Sequence, residues 1–183
     1  MTAFWKFSAI ALMLLVAACG TGKGPVGSAP GGWNLQDISV KFGPEISRTA
    51  SGDEFTSNFV WNGFNEGNRK RQVIGIFKRA MREVGRETMQ GTRPVNMNVQ
   101  VNYFHALTEF SRLWCCGQHK ILADVAVVDA ASGDVLASVE NLSMGRIALG
   151  GIPGLVAVAA GRDQEVRVHE SMVNSTREWL SKY

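Results

Sequence analysis

Gly91–Phe110, "GTRPVNMNVQVNYFHALTEF", decides how this chain is read. Val95, Met97, Val99, Val101 and Tyr103 alternate with Asn96, Asn98, Gln100 and Asn102. Successive side chains of an extended backbone leave on opposite faces, so this period of two predicts a long strand with one apolar face and one face of uncharged amides. A sheet that is polar on one side is covered on the other side only, which is the habit of antiparallel sheets. Pro94 has no backbone donor and fits the start of the strand. His105 continues the apolar phase and is expected at the margin of the core, as a hydrogen-bonded structural residue.

The flanking segments supply the rest of a small fold. Leu35–Phe42 alternates Ile38, Val40 and Phe42 with Asp37, Ser39 and Lys41 and predicts a first strand. Gly43–Glu66 is irregular and carries Phe55, Phe59, Trp61 and Phe64, with room for a short strand in "NFVWNGFNEGNRKRQ" (Asn58–Gln72). These aromatics can close the edge of the core or form a contact surface for a partner. In Asn68–Met89, Val73, Phe77, Ala80, Met81, Val84 and Thr88 recur at three- and four-residue steps and predict a helix. Its other side holds Arg71, Lys78, Arg82 and Arg86, interrupted by Glu83 and Glu87, and suits either plain solvation or contact with anionic headgroups.

Lys120–Asp129 and Val135–Met144 read as a hairpin around "DAASGD", with Gly133 suited to positive φ. On the return arm Val135, Ala137 and Val139 give way to Leu142 and Met144, a change of phase that predicts a bulge or strand end near Asn141. Ile147–Gly161 is apolar but too short, and too broken by Gly150, Gly151, Pro153 and Gly154, to cross a bilayer; it reads as a Gly-rich loop. Asp163 caps a last helix, with His169, Met172, Val173, Thr176 and Trp179 or Leu180 on one face. The expected fold is α+β: a two-layer sandwich of a mainly antiparallel four-stranded sheet with two helices on one face, in the order strand-helix-strand-hairpin-helix, forming one domain over residues 33–183.

The N-terminus carries an address. Lys6 precedes an uncharged apolar run, Phe7–Ala18, which is too short for a membrane span and reads as an export signal over residues 1–18. It ends in Val16-Ala17-Ala18-Cys19, which resembles a bacterial lipobox, so Cys19 is expected to carry the lipid anchor after cleavage. Thr21–Gly32, "TGKGPVGSAPGG", then reads as a flexible tether, residues 19–32 forming the lipidated cysteine and its linker. The competing reading is ordinary cleavage after Ala18 with Cys19 as a free thiol. Gly20 follows Cys19 where an Asp would mark inner-membrane retention in enteric bacteria. The expected location is the cell envelope, with the domain in the periplasm and the outer membrane favoured.

The formal charge of +3, or +2 once Lys6 is lost with the signal, is no nucleic-acid footprint. Cys115 and Cys116, in "LWCCGQHK", are the one invitation to chemistry. A vicinal disulfide is strained, because adjacent α-carbons lie about 3.8 Å apart and ordinary bridges need about 4.4–6.8 Å. Such a bond suits a redox switch. With His119 the pair can also be imagined on a metal, but adjacent cysteines lack the usual C-x₂-C spacing. Cross-linking to a partner and two cysteines simply filling a turn are the other readings. No phosphate loop, nucleophile elbow, H-E-x-x-H or dinucleotide fingerprint is present, and His105, His119 and His169 fall on separate elements. No cofactor and no metal site is implied.

"FVWNGFNEGNRKRQV", "GTRPVNMNVQVNYFHALTEF" and "VVDAASGDVL", following the lipobox, resemble a family of uncharacterised lipoproteins from alphaproteobacteria, from about Trp33 to the C-terminus. The layout is also similar to small envelope lipoproteins that serve as accessory subunits of transport or outer-membrane assembly systems. These resemblances imply a non-catalytic, membrane-anchored protein whose domain meets an envelope protein partner, through the polar sheet face or the aromatic loop. They supply no catalytic residues. A periplasmic thiol redox protein using Cys115 and Cys116, and a carrier of lipid or a small apolar ligand, are the alternatives.

Overall fold

A computed structural model describes residues 30–48, 57–61, 67–106, 119–145 and 163–183. The alternating segment is the centre of the sheet. Arg93–His105 (β3) pairs in parallel with Trp33–Phe42 (β1) on one side and antiparallel with Lys120–Asp129 (β4) on the other; Val135–Ser143 (β5) lies antiparallel beyond β4. A two-residue strand, Phe59–Val60 (β2), pairs in parallel with Phe104 and His105 and continues the edge of β3 past the point where β1 stops. The helices are Pro44–Arg48 (α1), Arg69–Thr88 (α2) and Gln164–Leu180 (α3).

The α+β class is as expected, but the four-stranded, mainly antiparallel sheet is not: the sheet has five strands and is mixed. The reason lies in α2. A twenty-residue helix runs about 30 Å, enough to carry the chain back along the whole of β1, so β3 must start from the same end. α1 is a third helix; Pro44 at its first position, with Glu45 beside it, is the local signal for it. Pro30–Gly32, expected as the end of the tether, forms a 3-10 turn instead. Gly91 sits so close to Gly32 that an added Cβ would meet its carbonyl, and the Gly91 N–H donates to Trp33 O. Cys19 and the rest of the tether, Cys115, Cys116, Phe55, Phe64 and residues 147–161 lie outside the described residues.

Four irregularities re-aim side chains. Between Leu35 and Asp37 the β1–β3 register slips by one residue, so Trp33 and Leu35 face the same way as Ile38. Trp33 is thereby buried and opens the strand two residues earlier than the alternation indicates. A second slip in β3, between Val101 and Tyr103, inserts Asn102. It reverses the expected phase: Phe104 and Ala106 turn into the core, and Tyr103 and His105 take the opposite face, half-buried. The third lies in β5, where Glu140 and Asn141 oppose the single Asp124 and Asn141 has φ 49°. That bulge is where the sequence placed it. Gly133 likewise has the expected positive φ, 79°. Val135 departs from expectation: a further slip beside Leu136 leaves Val135 exposed and buries Leu136 with Ala137.

One apolar cluster joins the inward residues of β3 and β4 to the stripes of both long helices. α2 contributes Val73, Phe77, Ala80, Met81 and Val84 from the predicted stripe, together with Ile76, which the stripe did not include; Asn68 caps it, its side chain accepting from Arg71 N–H. α3 contributes Val168, Met172, Val173, Thr176 and both Trp179 and Leu180, and Asp163 caps it by accepting from Val166 N–H. His169, expected on that apolar face, stays at the rim, opposite Glu83 at 3.5 Å. Among the described residues no helix is long and apolar enough to cross a membrane.

Candidate interaction surface

Because β3 buries its valines, its amides must leave on the other side, and there the sheet has an open polar face. Asn98 and Gln100 are exposed, and Asn96 and Asn102 partly so. Strand pairing sets Asp37, Ser39 and Lys41 of β1 beside Asn96, Asn98 and Gln100, and Ala126 and Asp124 of β4 on the other side of the same row. Amide side chains both donate and accept, so such a row can recognise a polar partner without the desolvation cost of charges.

Two of the four irregularities meet on this face. The Asp124 Oδ1 accepts from Asn102 Nδ2 at 2.8 Å and from the backbone N–H of Asn141 at 2.8 Å. Asn102 Nδ2 also donates to Asn141 Oδ1 at 3.1 Å, and Gln100 Nε2 to Asn102 Oδ1 at 3.1 Å. One carboxylate of β4 thus fixes the extra residues of the two strands that flank it. Each bulge leaves backbone groups without ladder partners, and Asp124 satisfies the one on β5. Sequence reasoning located the bulge at Asn141 but missed Asp124 and Asn102 as its partners, because the contact spans strands whose register the bulges themselves set.

Other predicted features fall elsewhere. Phe59 and Trp61 are buried, packing on Phe104 with ring centroids 6.0 and 5.9 Å away, and the Trp61 indole N–H donates to Gln72 Oε1 at 2.9 Å. They close the edge of the core and do not form a contact surface. His105 receives the Tyr103 ring at 6.2 Å and a 3.4 Å polar contact from its hydroxyl; His119 is buried at the start of β4; His169 lies on α3. His105 pairs with Lys120 in the β3–β4 register, next to His119, while His169 lies apart on α3. Among the described residues no three His, Cys, Asp or Glu side chains cluster around a common point that could hold a metal.

The carboxyl of Asp129, at the hairpin turn, is pulled down to about 2. The backbone N–H of Ser132 is the largest cause, followed by the Arg93 guanidinium, whose Nε lies 2.8 Å from Oδ2, and the N–H of Ala131. The hairpin is thereby tied to the start of β3. Between α2 and α3 runs a groove of about 840 Å³ lined by Arg79, Arg82, Glu83, Arg86, Glu87, Glu165 and His169. Ion pairs stitch it: Arg79 with Glu165, and Arg177 Nη2 with Glu87 at 2.6 Å.

The fold and this face define an α+β protein with a covered apolar side and an open amide-rich side. The chain belongs to a family of unknown function, DUF6778, whose model matches residues 33–183. No curated protein matches it. Among solved structures it is similar to a candidate lipoprotein of Caulobacter crescentus (14% identity, TM-score 0.37, 59% of this chain and 80% of that one). It is also similar to a DUF330 protein of Xanthomonas campestris (11% identity, TM-score 0.49, 83% of each chain). A third is PelC of Paraburkholderia phytofirmans, solved as a dodecamer (11% identity, TM-score 0.39, 82% of this chain and 88% of that one). Likeness at this level assigns no role to any residue of this chain.

Proposed function

We propose that this chain is a bacterial envelope lipoprotein of the alphaproteobacterial kind its sequence resembles, acylated at Cys19, with its domain in the periplasm. In this reading it is a non-catalytic accessory or interaction subunit of an envelope transport or assembly system, held at the outer membrane. The observation that carries the interaction role is the open face of β3. Asn98 and Gln100 are exposed on the central strand of a sheet whose other side packs against the core, so the face is held by that packing and is open to solvent. A rigid, preorganised polar surface loses little entropy on binding and favours recognition over turnover.

The test has two parts. Intact mass of the membrane-extracted protein, beside a Cys19→Ser variant, is expected to show a mature chain starting at an acylated Cys19. An unacylated, freely soluble wild type refutes the anchor. Photo-crosslinkers at Asn98 and at Gln100, against a control at Lys182, are expected to give a discrete envelope-protein adduct from the sheet face alone. Adducts equal at all three positions refute the face as the contact. Reductant in the same mass experiment reads the state of Cys115 and Cys116.

A further inference from the structure

Arg82 and Arg86 stand one helical turn apart on α2 and line two depressions at once. The first is the groove between the long helices. The second, of about 320 Å³, is bounded by Asn34 and Leu35 of β1 and by Gly85, Met89 and Gln90, and contains no acidic residue. The acids of the first are engaged: Glu165 holds Arg79, Glu87 holds Arg177, and Glu83 faces His169. Asp163 is committed to capping α3. No acid among the described residues is paired with the guanidinium of Arg82 or Arg86, and both are exposed.

The place of this pair in the fold says what it faces. Asn34 and Leu35 are the second and third residues of β1, so the depression opens beside the point where the chain enters the domain. Gly91, just past the end of α2, is packed on Gly32 at the same end. Ten residues, Gly20–Ala29, separate Cys19 from Pro30, and a Gly-rich chain of that length spans roughly 17 Å, about two screening lengths. A chain anchored at Cys19 therefore presents this end of the domain to the membrane. Guanidinium groups are the side chains that best match phosphate, through paired N–H donors.

We infer that Arg82 and Arg86 dock the domain onto anionic phospholipid headgroups of the membrane that holds its anchor, giving the domain a fixed orientation with the amide face of β3 free for its partner. The inference rests on the anchored reading of the chain. α2 ends near this site, and its negative end disfavours an anion weakly; the pair of full charges outweighs that partial charge. Each basic side chain at an anionic surface is worth about fivefold in occupancy, so the pair supplies about thirtyfold.

The test supplies the anchor independently, so that failure of acylation and failure of docking are told apart. The Cys19→Ser chain, with a histidine tag in place of residues 1–18, is tethered on nickel-chelating vesicles of phosphatidylcholine, with or without phosphatidylglycerol. Arginine modification by phenylglyoxal is then mapped by peptide mass. Docking predicts that Arg82 and Arg86 react at least fivefold more slowly on the phosphatidylglycerol vesicles, that Arg69 and Arg71, exposed at the opposite end of α2, do not change, and that high salt restores the rate. In the Arg82→Ala chain, protection of Arg86 is expected to fall about fivefold. Equal rates on both vesicles overturn the inference. So does equal protection by inorganic phosphate without vesicles, which reassigns the pair to small anions.

Discussion

Substituting Phe104 and Tyr103 separately by alanine tests the central strand's geometry. Simple alternation puts Tyr103 inward and Phe104 outward; the slip at Asn102 reverses them. Phe104 is fully buried, its ring within 6.3 Å of Phe77 and closer to Phe59 and Trp61. Removing a phenylalanine from such a site costs about 3–5 kcal/mol, the transfer term plus the cavity left behind. In a domain of this size that lowers Tm by about 6–20 °C. Tyr103 is half-buried; it has a 3.4 Å contact to His105 Nδ1 and Lys120 Nζ 4.7 Å over its ring. Losing these is worth about 1 kcal/mol. Urea denaturation of the two variants, with unchanged m-values, is expected to show Phe104→Ala the weaker by at least about 2 kcal/mol. If Tyr103→Ala is as destabilising as Phe104→Ala, the inward phase runs on through residue 103 and the bulge is wrong.

Two further expectations follow from the polar contacts. Asp124→Ala removes the acceptor shared by Asn102 and Asn141 and is expected to cost about 1–2 kcal/mol, against less than about 0.5 kcal/mol for Gln100→Ala; faster hydrogen exchange at the Asn141 amide would localise the loss, and equal effects of the two substitutions would remove Asp124 from its role. The Asp129 carboxyl, held near 2 against an ordinary 3.8, binds its proton less readily folded than unfolded, so its contribution to stability is complete above the ordinary value and disappears as pH falls through about 2. Carbon NMR should follow that midpoint directly, and Asp129→Asn should trail the wild type at pH 6 yet match it near pH 2; a titration midpoint close to 4 would contradict the hydrogen-bonded turn.

The bulges connect stability to the proposed role. Asn102 and Asn141 are each the extra residue of a strand, and both are pinned by Asp124 on the solvent side of the sheet. Without that carboxylate the two strands would keep their irregular register but lose the link that orders the amides above it. The same side chains that give the face its hydrogen-bonding capacity therefore also hold it in one geometry, which is what a recognition surface requires. The apolar side achieves the converse: Phe59, Trp61 and Phe104 turn their rings into the core and away from any partner.

Local pattern alone determined the elements. The alternation of Val95–Val101 with its amides, the three-and-four spacing of Val73–Val84 and of Met172–Leu180, the caps Asn68 and Asp163 and the turn glycine Gly133 all encode their structure within a few residues, and the fold uses each as written. The broken phase at Asn141 was equally legible, because an inserted residue shows in the sequence whenever the side chains beyond it change face. The pairing of β1 with β3 was not: parallel or antiparallel is settled by where α2 returns the chain, although a strand, a long helix and a strand in succession is the signature of that crossover. Nor was the slip at Asn102, since Tyr103 and Phe104 are both aromatic and either suits a core. What chose between them is tertiary. Phe104 meets Phe59, Trp61 and Phe77, a pocket assembled from β2 and α2, and the gain from filling it exceeds the cost of one unpaired residue in the ladder.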